Sequence, residues 1–339
     1  MSLPEFKLLR PRTVEEAVGL LARHGESLHV LAGGTDLIPS MRQRLFEPQF
    51  VLDIGGIREL RGIHEKPDAA VEIGALTTLT AIETSQFIRR NYSVLYQAAK
   101  TVASPLLRNM GTIGGNICLD TRCLWYNQSL LWRKSCGFCI KKDGDLCHVA
   151  PGGTKCWAVF SGDTPPALLC LGAEVEIAGP NGARRIPLKD FYTNVGDARM
   201  NMARNELLTR VFLPQATAGY RGAYRKLRIR GSIDYPLAGV AVVLKMGNGT
   251  SAGTSSLNGF PIDDARVAIT AVNPAPLLVR GASQALIGKS MNEELAAEVG
   301  ELAVRMARPL TTSALTPEYR REIIKVFARR AVLAAAAGS

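Results

Sequence analysis

The sequence predicts an α+β fold in more than one subdomain, and three observations predict it. Apolar, β-rich runs alternate with helix starts that carry their own caps. Glycine pairs stand at strand ends, and the 339 residues exceed the length at which a single core stops growing. In order, Thr13-Val-Glu-Glu16 is a capping box, so a helix runs to about His24. Leu28 to Leu31 is a short strand that breaks into Gly33-Gly34-Thr35-Asp36 and a helix-compatible stretch. Residues 50–57 (FVLDIGGI) and 70–79 (AVEIGALTTL) are strands bounded by glycines. Thr80-Ala-Ile-Glu83 forms a second capping box, and a longer helix covers about Ser93 to Val102. Residues 167–213 are strands again (ALLCLGAEVEIAG, LLTRVFLP), with Asn181-Gly182 as a hairpin turn. AYRKLRIRGS and AGVAVVLKMG, from Tyr220 onward, are strand-like. The end is helical, with a box at Ser290-Met-Asn-Glu293, Thr316 capping Pro317, and a frayed AAAAGS terminus.

Composition is that of a globular protein, 47% apolar and 21% charged. No run of about 18 apolar residues could span a bilayer, and the N-terminus lacks the basic flank and apolar core of a signal peptide. A cytoplasmic protein with no membrane association is expected. In that compartment thiols stay reduced. Seven cysteines, an odd number with most between Cys123 and Cys156, therefore point to metal or redox chemistry over a disulfide framework. The net charge of +11 suggests acidic partners. With no basic stripe interleaved with aromatics, no zinc-finger spacing and no RNA-recognition signature, no nucleic acid is expected among them.

Two loops carry chemistry. In Ala32-Gly33-Gly34-Thr35-Asp36, consecutive glycines after a strand let backbone amides approach an anion, and a helix start follows. It is neither the G-x-G-x-x-G fingerprint nor a P-loop. Thr112-Ile113-Gly114-Gly115-Asn116 repeats the glycine pair, flanked by side chains able to hydrogen-bond phosphate or ribitol oxygens. One extended phosphate cofactor held by both loops is more economical than two unrelated turns.

These loops, LAGGTDLIP (31–39) and TIGGNI (112–117), with SGDTPPALLCLGAEVEI (161–177) and YRKLRIRGSIDYPLAGV (224–240), resemble the FAD-binding subunits of the molybdenum hydroxylases over essentially the whole chain. The resemblance implies a vanillyl-alcohol-oxidase/PCMH-type FAD-binding fold of two subdomains, residues 1–57 and 58–216, followed by a C-terminal α/β domain, 217–339. It also implies that Leu31, Ala32, Gly33, Gly34, Thr35, Asp36, Leu37 and Ile38 hold the pyrophosphate. Thr112, Gly114, Gly115 and Asn116 would contact diphosphate and ribitol, Asp163 would lie near the adenosine end and Lys226 near the isoalloxazine. No catalytic acid or base is implied.

The chain departs from the family's pattern after GGNICLD. The expected S-G-D stretch resumes only at Phe160, leaving an insertion of 39 residues, 121–159, that holds all three tryptophans. So small an excursion buries little core of its own, and a metal centre is one staple that would order it. Structural zinc takes paired C-x(2–4)-C knuckles, and only Cys136/Cys139 has that spacing; separate thiolates suit the corners of an iron–sulfur cubane, but spacing alone leaves the metal open. Cys118 and Cys170 read as core thiols. Between Cys136 and Cys139 the second is preferred, which gives Cys123, Cys139, Cys147 and Cys156 on one [4Fe–4S] cluster, with His148 more a neighbour than a ligand. The insertion's six cations against two carboxylates either steer an acidic electron carrier onto it or form a solvated basic surface.

Within the family such an insertion resembles the 4-hydroxybenzoyl-CoA reductases. That likeness implies electrons passing from reduced ferredoxin through [4Fe–4S] and FAD to a [2Fe–2S] small subunit and a molybdenum-cofactor large subunit, in a dimer of heterotrimers. The alternatives are the FAD subunit of another molybdenum hydroxylase, and a stand-alone flavin oxidoreductase with a structural zinc loop.

Overall fold

The computed structural model describes residues 2–66, 70–247, 260–311 and 314–338. Three sheets organise it, each drawn from one stretch of chain. The first is parallel: β1 (Lys7–Leu9), β2 (Leu28–Leu31) and β3 (Phe50–Asp53) lie in the order β1-β3-β2. Parallel strands need crossover connections, and the helix Val14–His24 lies in the one from β1 to β2, which flank β3. Its buried Val14, Ala17, Val18 and Leu21 repeat at helical spacing and pack with Leu28, Leu52 and Ile54. Thr13 caps it, and Glu16 reaches back to the Arg12 amide at 2.8 Å.

The second sheet contains β4 (Ile63–Glu65), β5 (Val71–Gly74), β6 (Glu174–Gly179), β7 (Gly182–Pro187) and β8 (Leu207–Leu213) in the antiparallel order β4-β5-β8-β6-β7. The third, β9 (Arg221–Leu227), β10 (Ala238–Met246), β11 (Ile262–Thr270) and β12 (Leu277–Leu278), is antiparallel in the order β12-β11-β10-β9. Helices Glu293–Met306 and Pro317–Ala337 cover one of its faces. On the other, Tyr224, Ala241, Val243 and Ala268 join the core of helix Ser93–Lys100. Because β10 is buried on both faces, its sequence is a continuous apolar run instead of an alternation.

Several sequence expectations need correction. Ala167–Cys170 is not strand but part of the helix Thr164–Cys170, with Pro165 and Pro166 in its first turn, where no amide partner is needed. A short, fully buried apolar run has no periodicity to separate the two states. The box at Thr80 does not cap: Thr78 does, while Thr80 donates to Asn109 and Glu83 pairs with Arg108 at 2.7 Å. Likewise Asn292, not Ser290, caps the helix Glu293–Met306. The hairpin pairs Gly179 with Gly182, so its turn residues are Pro180 and Asn181. The C-terminus is not frayed through Gly338: Ala335 and Ala336 are fully buried, and Arg221 donates to the Ala336 carbonyl at 2.6 Å. Ser339 lies outside the described residues.

Candidate functional site

A cavity of about 1150 Å³ opens where the first two sheets meet the segment 228–237. It is lined by Ala32, Gly33, Gly34, Thr35, Asp36 and Leu37 on one side and by Thr112, Gly114, Gly115 and Asn116 on another. That volume is at the large end for ligand sites. Leu31 and Ile38 stand behind the first loop, within 3.1 and 3.4 Å of where a Cβ on Gly34 would project. Gly34 has φ +72°, and a Cβ on Gly33 would run into the Met110 carbonyl. Among the described residues, the backbone N–H groups of Gly33, Gly34, Thr35 and Asp36 find no protein acceptor. Four successive unpaired amides at a cavity wall are what an oxyanion would satisfy.

The second loop behaves differently. Ile113 N donates to Thr77 O at 2.9 Å, Gly114 N to Ala75 O at 2.9 Å, Gly115 N to Thr112 Oγ1 at 3.0 Å and Asn116 N to Thr112 O at 2.9 Å. The expected ligand side chains have protein partners as well: Asn116 Oδ1 accepts from Thr164 N at 3.0 Å and Thr164 Oγ1 at 2.7 Å. Thr112 and Asn116 therefore act first as internal caps, and the loop serves as wall.

Asp163 and Lys226 cannot mark opposite ends of a flavin dinucleotide. Lys226 Nζ lies 3.0 Å from Asp163 Oδ2, both side chains 3% exposed, and Tyr224 Oη donates to the other carboxylate oxygen at 2.8 Å. Asp163 lines the cavity, whereas Lys226 stands behind it, donating to Thr101 O at 2.9 Å. Burial pushes the Asp163 carboxyl up and the Lys226 ammonium down, each resisting the shift in the other.

Sequence reading missed much of this wall. Arg122 pairs with Asp36 and donates to Tyr235 Oη at 2.7 Å, joining segments that no local signal connects. His29 lines the cavity with Nδ1 unpaired, its pKa pushed down to about 4 by burial first and then by Arg204, Lys142 and Arg199. Lys142 and Arg204 line the cavity near His29 and have no carboxylate partner among the described residues, and Glu26 and Asp197 line it as well.

The insertion 121–159 is an ordered lobe. Its base is pinched by a bridge between Arg122 and Val159, and Trp125 packs against Trp132 at 5.5 Å and stacks on His148 at 4.5 Å. Inside lies a cavity of about 20 Å³ lined by Cys123, Cys139, Cys147 and Cys156, together with His148, Trp157, Tyr126 and Lys141. Cys136 does not line it and ends the helix Leu130–Ser135. Cys118 lines the large cavity, and Cys170 is buried beneath β10, its thiol 3.4 Å from Ala241 O. Burial pushes the Cys156 thiol up to about 11. Among the described residues, no group of three or more His, Cys, Asp and Glu side chains comes together as a site for a metal ion.

The lobe's cations mostly turn inward. Arg133 is 2% exposed and Lys141 6%, Lys142 faces the large cavity, and among the lobe's charged groups only Lys134, Asp143 and Asp145 are exposed. The expected electrostatic steering of an acidic carrier by a surface surplus therefore has no surface surplus behind it.

The family described as "FAD binding domain in molybdopterin dehydrogenase" matches residues 4–216, and "CO dehydrogenase flavoprotein C-terminal domain" matches residues 222–335. The carbon monoxide dehydrogenase medium chain of Afipia carboxidovorans is 32% identical over 96% of this chain and 95% of its own. That of Hydrogenophaga pseudoflava is 29% identical over 98% and 97%. A solved structure of reconstituted CO dehydrogenase from Oligotropha carboxidovorans superposes with a TM-score of 0.80 at 30% identity, both chains covered in full. No helix among the described residues is long and apolar enough to cross a membrane. The chain belongs to the FAD-binding medium-subunit family of the molybdenum hydroxylases, and is an FAD-binding subunit of an oxidoreductase.

Proposed function

We propose that this chain is the FAD and [4Fe–4S] subunit of a 4-hydroxybenzoyl-CoA reductase, assembled with a molybdenum-cofactor large subunit and a [2Fe–2S] small subunit as a dimer of heterotrimers. One observation carries the reading: Cys123, Cys139, Cys147 and Cys156 line one small cavity in a lobe that abuts the large one. A single zinc needs its thiolates about 2.3 Å from one point. A cluster takes each thiolate at a different iron, and what supports that reading is the shared lining by four cysteines and not the size of the cavity.

When bound, FAD and the cluster supply the electron-transfer chemistry, passing electrons from reduced ferredoxin toward the molybdenum centre. The chain's own residues bind and insulate. The unpaired amides of Gly33 to Asp36 hold the diphosphate, with Lys142, Arg204 and neutral His29 on the same cavity wall. Thr112 to Asn116 forms the floor. Trp125, Trp157 and His148 shut water from the thiolates. Exposed Leu124, Leu130, Leu131 and Leu146 give the donor an apolar landing surface on the lobe.

Metal and sulfide analysis of the purified complex tests this. Beyond the iron and sulfide of the [2Fe–2S] small subunit, about four of each per copy of this chain is expected, and about one zinc per copy with no such excess would sink it. Cys147→Ser should remove the cluster's spin-resonance signal and leave FAD bound. With reduced ferredoxin, the complex should convert 4-hydroxybenzoyl-CoA to benzoyl-CoA. A cluster-bearing complex that fails to do so would restrict the reading to another member of the family.

A further inference from the structure

Two side chains, Tyr126 and Lys141, line both cavities and so form the wall between them. Lys141 is held on every side. Its Nζ lies 3.0 Å from Asp120 Oδ1, 2.5 Å from Thr121 Oγ1 and 2.9 Å from the Gly196 carbonyl, and stands 4.7 Å over the Tyr126 ring. Gly196 is itself tied to the thiol lobe, its amide donating to Cys156 O at 2.9 Å. Asp120 has a second cation, Arg199, at 3.4 Å. A charge so fixed and so shielded acts strongly on whatever sits on either side, because little solvent intervenes to screen it.

We propose that the Lys141–Asp120 ion pair in this shared wall tunes the reduction potentials of the flavin and of the group held by the four cysteines, with Tyr126 as the packed contact between them. The proposal rests on the reading of the lobe given above. With both groups bound, each electron transfer would oxidise the cluster by one electron and reduce the flavin by one. Two such transfers complete flavin reduction, a one-electron iron–sulfur donor refills the cluster, and no bond to Lys141 or Tyr126 forms or breaks. A nearby positive charge stabilises the more negative, reduced form of either group, and a negative charge opposes it.

The test is a reductive titration of the intact complex, reading FAD by visible absorbance and the cluster by spin resonance, with iron, sulfide and FAD content measured on the same samples. Lys141→Gln should lower both potentials and Asp120→Asn should raise both. Each shift should be tenfold or more in the reduction equilibrium, about 59 mV for a one-electron centre. Lys141→Arg should stay near the unaltered values. So should Lys134→Gln, since Lys134 is exposed on the same lobe and lines neither cavity. Should Lys141→Gln fail to assemble, Asp120→Asn decides by the sign of its shift. Unmoved potentials with full cofactor content, or shifts of one sign in both variants, would overturn the inference and leave the proposed function standing. An unaltered complex whose iron and sulfide do not exceed the share of its [2Fe–2S] small subunit would overturn both.

Discussion

Two loops of this protein carry nearly the same letters and do opposite work. Ala32–Asp36 and Thr112–Asn116 each hold a glycine pair and a threonine, and both line the large cavity. In the first, the amides of Gly33 to Asp36 have no protein acceptor among the described residues; in the second, the amides of Ile113 to Asn116 are all bonded. The glycines differ accordingly. Gly34 is needed for its left-handed backbone, whereas Gly114 is needed because a Cβ there would lie 2.8 Å from both Ala75 Cβ and the Ala75 carbonyl. The loops also meet, since Gly33 abuts the Met110 carbonyl and the Gly111 Cα just ahead of the second loop. A glycine pair, whether after a strand as in the first loop or in the short helix Ile113–Ile117 as in the second, thus encodes close approach of backbone. Whether the approaching partner is a ligand or another segment depends on where the amides are spent.

The largest effect should come where the loops touch. Gly33→Ala would force a methyl into the Met110 carbonyl, and relief requires both backbones to move. A loss of about 3 kcal/mol or more is expected from overpacking of this kind, together with loss of FAD from the purified chain. Denaturant unfolding and the flavin absorbance check it; a yellow variant with an unchanged unfolding midpoint would break the claimed contact.

Gly114→Ala should separate wall from binding loop. Its cost is about 2 kcal/mol of stability, and the FAD that remains bound per folded chain should be close to normal. Ala75→Gly in the same chain should restore only part, because it removes the facing Cβ and leaves the facing carbonyl. Full recovery, or a fall in FAD affinity larger than the fall in stability, would show that this loop also binds.

How much of this was legible depends on whether the signal was local. Helix Val14–His24, the strand Leu28–Leu31 and the proline-started C-terminal helix were, because caps and periodicity lie within a few residues of each other, whereas the strand Lys7–Leu9 was missed. The glycine loops and the thiol-rich lobe could be found as places. The distribution of tasks between the loops could not, since it rests on hydrogen bonds to Ala75, Thr77 and Thr164. The Asp163–Lys226 pair spans 63 residues and Arg122–Asp36 spans 86, so composition and spacing carry no trace of either. The lobe's cations could be counted but not oriented, and orientation reversed the steering argument. The Thr80 and Ser290 boxes matched the pattern and failed because tertiary contacts chose a neighbouring cap.

The smallest effect tests the side chain that most resembles a ligand. Asn116 stands at the cavity, yet its carbonyl oxygen accepts from both donors of Thr164, the first residue of the helix Thr164–Cys170. That helix has no side-chain cap of its own, because Asp163 is turned to Lys226 and Tyr224, and its next residues, Pro165 and Pro166, have no amide hydrogen. Asn116 therefore supplies the cap from another segment. Asn116→Ala should cost about 1 kcal/mol of stability, the usual value of a lost cap, while Asn116→Asp, which keeps the acceptor, should cost less. FAD affinity should change less than twofold in both. If Asn116→Ala sheds its flavin at unaltered stability, the side chain is a cofactor ligand, and the second loop binds as directly as the first.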